Sequence, residues 1–246
     1  MNLKIMTKSV LITGVTGNLG SVCSKYFNQD WNVTGVSRSK FLKTIPTING
    51  PMAIEGRDGG IDLCSASSVA EFLDLTINDT YDLVVMAHGV VDNSRIEHIS
   101  QADWNRVIDS NLKSCVVLTS ELIATNKLNP NALIIYCSSI QADLPREGRY
   151  LYGLSKLGLE LLAKSVHVEN APRIRAVALR LGQMERLMAG RQFTDEERKA
   201  IENYTPLPWV NCLDVAKLVE CLYDQKSLSG TTINVDSGHN LSVWPK

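Results

Sequence analysis

The chain has 246 residues, 44% hydrophobic and 21% charged, a length that fits one large α/β domain and a composition that excludes a disordered one. Its 25 Lys plus Arg balance 26 Asp plus Glu, so no net charge draws it to nucleic acid or an anionic membrane, and a small-molecule substrate is the expected partner. The six cysteines include no C-x-x-C pair, no window approaches eighteen apolar residues and no cleavage site precedes the first strand; free thiols, no metal and a cytoplasmic location are expected.

In chain order, apolar and β-branched runs at 9–13, 32–37, 81–87, 132–137, 175–179 and 231–235 predict strands, with helices between them. Leu83-Val84-Val85-Met86-Ala87 and Leu133-Ile134-Ile135 are apolar on successive residues, which implies burial on both faces and hence a parallel, doubly wound sheet. The first strand ends in Thr13-Gly14-Val15-Thr16-Gly17-Asn18-Leu19-Gly20, and a helix follows. Glycines there let the backbone turn tightly and approach a pyrophosphate, which the helix N-terminus faces with free N–H groups. Gly14, Thr16, Gly17, Asn18, Leu19 and Gly20 are the candidate contacts; taken alone, the motif is equally a Gly-rich turn.

The second strand ends in Val36-Ser37-Arg38-Ser39, without the acidic residue that an NAD-selective site offers the adenosine ribose. Ser37 and Arg38 suit a 2′-phosphate, Arg through its permanently charged planar fork; a solvated surface Arg is the alternative. Gly60-Ile61-Asp62-Leu63 offers Asp62 and Leu63 to an adenine, or Asp62 to a turn. After the next strand, Met86-Ala87-His88-Gly89 offers backbone contacts at Ala87 and Gly89, and a lone His beside a strand end reads as structural.

The densest signal is Asn111, then Ser138-Ser139 after the strand at 132–137, then Tyr152-Gly153-Leu154-Ser155-Lys156. A Tyr and a Lys four apart share one helical face, so the ammonium and a nearby cationic nicotinamide can lower the phenol pKa and suit Tyr152 to acid/base work. Ser139 can hydrogen-bond a substrate carbonyl, with Ser138 its competitor, and Asn111 can support a water-linked proton path to Lys156. The long polar stretch 182–208 contains a short helix at 194–201, with Thr194 as N-cap and Glu197 three residues on, expected as a lid.

Together the glycine turn, Asn111, Ser139, Tyr152 and Lys156 resemble the short-chain dehydrogenase/reductase family, and the likeness runs from Val10 to the ending Val235-Asp236-Ser237-Gly238. The resemblance implies one NAD(P)-binding Rossmann domain over 1–246. It gives Tyr152 the acid/base role, Lys156 the ribose and the phenol, Ser139 the carbonyl, and Asn111 the relay. It further implies hydride transfer at a carbonyl or alcohol carbon, and a homodimer or homotetramer paired through helices at 104–124 and 152–168. NADP(H) is expected ahead of NAD(H). Three features depart from the family pattern: G-x-x-G-x-x-G spacing like that of the sugar-nucleotide branch, Met86-Ala87-His88-Gly89 for N-N-A-G, and Leu181-Gly182 for P-G. Arg146, Glu147, Arg149, Gln183, Glu185, Arg186 and Arg191 lie in segments that follow strand ends and can recognise a hydroxylated or anionic, sugar-like substrate rather than a steroid, though for most of them a solvated charged face is the alternative. The rivals are a sugar-nucleotide epimerase or dehydratase that retains NAD, and a non-catalytic dinucleotide sensor.

Overall fold

The computed structural model describes residues 8–45, 52–58, 60–184, 194–202 and 207–241. Its strands are β1 (Ser9–Thr13), β2 (Asn32–Val36), β3 (Lys40–Ile45), β4 (Met52–Asp58), β5 (Tyr81–Met86), β6 (Leu128–Ser139), β7 (Ile174–Leu181) and β8 (Thr231–Val235). The helices are α1 (Asn18–Phe27), α2 (Ala66–Leu75), α3 (Gln101–Trp104), α4 (Ser114–Ala124), α5 (Tyr150–Asn170), α6 (Asp195–Glu202) and α7 (Cys212–Asp224). A π-type stretch, Asn105–Lys113, joins α3 to α4. All eight strands form one sheet in the order β4-β3-β2-β1-β5-β6-β7-β8.

Six strands run parallel, as the unbroken apolar runs imply. Successive side chains supply opposite faces. Leu11, Val84, Met86, Ile134 and Tyr136 pack with α2, α4 and α5 on one side. Val10, Ile12, Leu83, Val85, Leu133 and Ile135 pack with α1 and α7 on the other. Burying each such side chain contributes about 1.5–3 kcal/mol, so both faces must be covered before any strand is satisfied.

The sheet is parallel, as expected, except at one edge. β3 pairs with β2, and β4 with β3, both antiparallel. Only Ser37, Arg38 and Ser39 separate β2 from β3, whereas a parallel return needs a crossover of a dozen or more residues. Ser37 N–H donates to the Lys40 carbonyl at 2.8 Å and Lys40 N–H to Ser37 Oγ at 3.0 Å, closing a tight turn. Lys40, Lys43, Glu55 and Arg57 interrupt both runs, a charge pattern that suits strands at a sheet edge. The strand boundaries also move: β2 stops at Val36, β5 stops at Met86, and β6 extends to Ser139, so Ser138 and Ser139 are the last residues of a strand rather than part of the loop after it.

Candidate active site at the carboxyl edge of the sheet

The glycine turn follows β1. Gly14 has φ +72°, a conformation open to glycine, and a Cβ on Gly20 would lie 2.2 Å from the Gly14 carbonyl oxygen, so the third glycine lets α1 start against the turn. Gly17 caps α1 without a side-chain bond. The first N–H groups of the helix, those of Leu19 and Gly20 among them, face the position of an anion, while the Leu19 side chain packs into the core. This cradle fits a dinucleotide pyrophosphate. Thr16 is exposed beside it.

Beyond β2 the structure separates two candidates that the sequence treated alike. The Ser37 hydroxyl is engaged in the turn to Lys40, whereas Arg38 is exposed at the tip. Ile61 N–H donates to the Ser37 carbonyl at 2.8 Å, and a Cβ on Gly60 would lie 1.7 Å from that carbonyl. Residues 60–63 thus lie against the end of β2. Asp62 Oδ1 accepts the Cys64 N–H at 3.1 Å, so this carboxylate serves a turn before α2, and Leu63 is buried in the core.

After β5, Ala87 N–H donates to Thr13 Oγ1 at 3.1 Å, and His88 reaches from β1 to α4. Its Nδ1 lies 2.6 Å from Thr13 Oγ1 and its Nε2 2.7 Å from Ser114 Oγ. Ser114 donates its own hydrogen to the Ser110 carbonyl at 2.9 Å, so Nε2 carries the imidazole proton and Nδ1 accepts from Thr13. Burial, then the Lys156 and Arg38 cations, push this imidazole down to about 4. A neutral bridge between two elements is a structural role.

Next to it the polar residues converge. Asn111, fully buried, donates from Nδ2 to the Val90 carbonyl at 2.8 Å and to Ser155 Oγ at 3.0 Å, and accepts the Val90 N–H at 2.7 Å. Lys156 Nζ donates to the Cys137 carbonyl at 2.8 Å and sits 5.5 Å from the Tyr152 ring centroid. A Cβ on Gly89 would come within 3.0 Å of Asn111 Oδ1 and 3.4 Å of Lys156 Nζ, so glycine admits both. The two serines divide. Ser138 is buried and donates toward Glu160 Oε1 at 2.8 Å and the Lys156 carbonyl at 3.1 Å. Ser139 Oγ only accepts the Gln141 N–H, at 3.3 Å, which leaves its O–H for another acceptor. Tyr150 is 48% exposed, whereas Tyr152 is half-buried beside Lys156.

Most of the polar residues proposed for specificity hold the scaffold. Glu147 pairs with Arg95, Arg149 donates to the Asp92 carbonyl, and Arg146 Nη2 meets His239 Nε2 at 3.1 Å. Gln183 donates to the Met184 carbonyl at 3.1 Å. Glu185, Arg186 and Arg191 lie outside the described residues, as does much of the 182–208 segment; α6 within it matches the expected helix, with Arg198 N–H donating to the Thr194 carbonyl at 2.9 Å. Gly182 packs on the turn after β8, where a Cβ would lie 2.6 Å from Asp236 Cα. The sequence reading missed Asp92, whose carboxylate accepts the Tyr152 N–H at 3.1 Å. It also missed the buried Glu160, which binds Arg180 through two nitrogens at 2.9 and 2.6 Å. No local pattern marks either.

A family model described as Enoyl-(Acyl carrier protein) reductase matches residues 60–240. The 3β-hydroxysteroid dehydrogenase 1 of Eggerthella lenta is 31% identical over 252 residues, covering 95% of this chain and 94% of that one. The chain belongs to the short-chain dehydrogenase/reductase family. It is accordingly an NAD(P)-dependent oxidoreductase acting on CH–OH and C=O groups. A 3-oxoacyl-acyl-carrier-protein reductase of Rickettsia felis is 28% identical, covering 94% of this chain and 96% of its own. Among solved structures, a short-chain dehydrogenase/reductase from Serratia marcescens superposes with a TM-score of 0.79 at 17% identity, covering 95% of this chain and 98% of that one. One from Brucella melitensis, titled as a glucose/ribitol dehydrogenase, gives 0.76 at 20%, covering 97% and 99%; at these identities the likeness is one of fold. Among the described residues, no helix is long and apolar enough to cross a membrane.

Proposed function

We propose that this short-chain dehydrogenase/reductase is an NADP(H)-dependent enzyme for a small polar, sugar-like carbonyl or alcohol, with Tyr152 as the group that gives and takes the proton. The observation that carries this reading is the meeting of Asn111, Ser155, Lys156 and Gly89 beside the Tyr152 ring. A bound nicotinamide dinucleotide supplies or accepts the hydride. The chain does the rest. The α1 N-terminus and the Gly14–Gly20 turn hold the pyrophosphate, Arg38 holds the 2′-phosphate, and Lys156 holds the ribose. Ser139 donates to the substrate oxygen. Tyr152 protonates that oxygen in reduction and deprotonates it in oxidation.

A polar substrate is supported by Gln141, two residues after Ser139, whose side-chain oxygen is buried with no hydrogen-bond partner among the described residues. A second copy of the chain is proposed on the face formed by the end of α3, the π-type stretch and α5. Trp104 (42% exposed), Leu157 (49%) and Leu161 (64%) line an apolar groove with Ile108 and Leu112, an apolar area that suits a twofold contact. The free cysteines suit a cytoplasmic enzyme.

The test is single-turnover oxidation of NADPH and NADH against keto-sugars, aldehydes, a 3-ketosteroid and a 3-oxoacyl thioester, by wild type and Tyr152→Phe. The reading expects NADPH to be preferred, keto-sugars to be reduced, and the variant to be slower by about a hundred- to ten-thousandfold. A Tyr152→Phe rate near that of wild type overturns the mechanism. A preference for NADH, or turnover of the steroid or thioester alone, overturns the cofactor or substrate assignment.

A further inference from the structure

Asp92 sits in the loop after β5, fully buried, and its carboxylate reaches a helix sixty residues away in sequence. Tyr152 is the third residue of α5, and its N–H is one of the four that no intrahelical carbonyl serves. A helix usually meets that need with its own N-cap side chain. Here the N-cap, Arg149, offers none, and Asp92 Oδ1 takes the Tyr152 N–H at 3.1 Å from another segment. A self-supplied cap would tie the first turn of α5 only to itself. This one ties it to the loop.

That loop is fixed in its turn. Val90 exchanges both of its backbone groups with the Asn111 side chain at 2.7 and 2.8 Å. Arg106 donates to the Val91 carbonyl at 3.1 Å, and Arg149 donates to the Asp92 carbonyl. Asn111 also donates to Ser155 Oγ on α5, at 3.0 Å. The loop and Asn111 therefore grip α5 at Tyr152 and at Ser155, positions about one helical turn apart on adjoining faces. Two such points fix the rotation of the helix about its axis as well as its position along it, and that rotation decides where the Tyr152 ring points, while Lys156 Nζ has a separate anchor in the Cys137 carbonyl at 2.8 Å. The second carboxylate oxygen of Asp92 is buried with no hydrogen-bond partner among the described residues. A half-satisfied buried carboxylate is a poor device for stability, so its value lies in what its one bond places.

We propose that Asp92 is a positioning residue of the active site: by accepting the Tyr152 N–H it sets the rotation of α5 and so aims the Tyr152 hydroxyl at the substrate oxygen. The inference rests on Tyr152 being the acid/base group. It adds that the aim depends on a carboxylate outside the helix. A misplacement of about 1 Å at a reacting group can lower a rate about a hundredfold.

The experiment measures single-turnover hydride transfer at saturating NADPH for wild type, Asp92→Ala, Asp92→Asn, Tyr152→Phe and Asp92→Ala/Tyr152→Phe, with NADPH affinity measured for each. Asp92→Ala is expected to be slower by about ten- to a hundredfold, with NADPH affinity within about twofold of wild type. Asp92→Asn keeps an oxygen acceptor and is expected to recover most of that rate. Without the Tyr152 hydroxyl, Asp92 has nothing to aim, so the double variant is expected to be no slower than Tyr152→Phe alone. Three results overturn the proposal: an Asp92→Ala rate within twofold of wild type, no recovery in Asp92→Asn, or the same loss from Asp92→Ala in the Tyr152→Phe background as in wild type. If Tyr152→Phe itself keeps the wild-type rate, the acid/base reading falls and takes this inference with it; a slow Tyr152→Phe beside a normal Asp92→Ala removes this inference alone.

Discussion

Acidification tests the His88 bridge directly, because the pH at which it fails follows from the structure. The folded imidazole is held near 4 against an ordinary value of 6.5, and the cause is enclosure between Thr13 and Ser114 with two cations nearby. The unfolded chain takes up the proton as pH falls through 6.5, while the folded chain resists until about 4. The contribution is therefore complete above 6.5 and is lost progressively down to about 4. Each pH unit in that window is worth up to about 1.36 kcal/mol, and allowing for partial protonation near 6.5 the loss reaches about 2 kcal/mol by pH 5. Urea unfolding at pH 7.5, 6 and 5, at one protein concentration, measures it. His88→Gln can keep only one of the two bonds, so it starts about 1 kcal/mol less stable at pH 7.5, but the carboxylates and remaining histidines titrate in both proteins and cancel. Wild type is expected to lose about 2 kcal/mol more than the variant between pH 7.5 and 5. Equal losses would show that His88 is not held neutral, and the proton assignment derived from Ser114 would fall with it.

The other predictions concern single features. Arg38→Ala should weaken NADPH binding by roughly ten- to a hundredfold, as expected for loss of a charge-assisted contact, and leave NADH unchanged; calorimetric titration of both reads it. Tyr150→Phe should keep a rate within about twofold of wild type in the stopped-flow assay that shows the Tyr152→Phe loss, because an exposed ring with no Lys four residues later has no acid/base role. Gly60→Ala should destabilise the fold by about 1–3 kcal/mol in urea unfolding, since its Cβ would meet the Ser37 carbonyl oxygen at 1.7 Å. Leu157→Glu with Leu161→Glu should give a monomer in sedimentation at micromolar concentration where wild type is a dimer or larger; a wild-type monomer refutes the proposed pairing.

What the sequence revealed divides along a physical line. Period and spacing are local, and they carried the parallel strands, whose successive apolar residues feed two opposite cores, and the helix on which Tyr152 and Lys156 share a face. The hairpin β3–β4 is hidden in the sequence because charged residues interrupt both strands, and because what forbids a crossover there is the length of the connection between β2 and β3, which the apolar pattern does not express. The resemblance names Ser139 over Ser138, but residue type does not separate two neighbouring serines; it is Glu160 that engages the Ser138 hydroxyl and leaves that of Ser139. Asp92 marks the limit most sharply. Nothing near it in the chain sets it apart from any loop Asp, and its meaning comes from a helix that begins fifty-eight residues later without a cap of its own. A missing cap is legible in sequence, since Arg149 is a poor N-cap residue. The residue that supplies the need from elsewhere is legible only once the chain is folded. The same holds for His88, whose two partners come from β1 and α4. In both cases sequence shows which groups will need a partner, and topology decides which residue provides it.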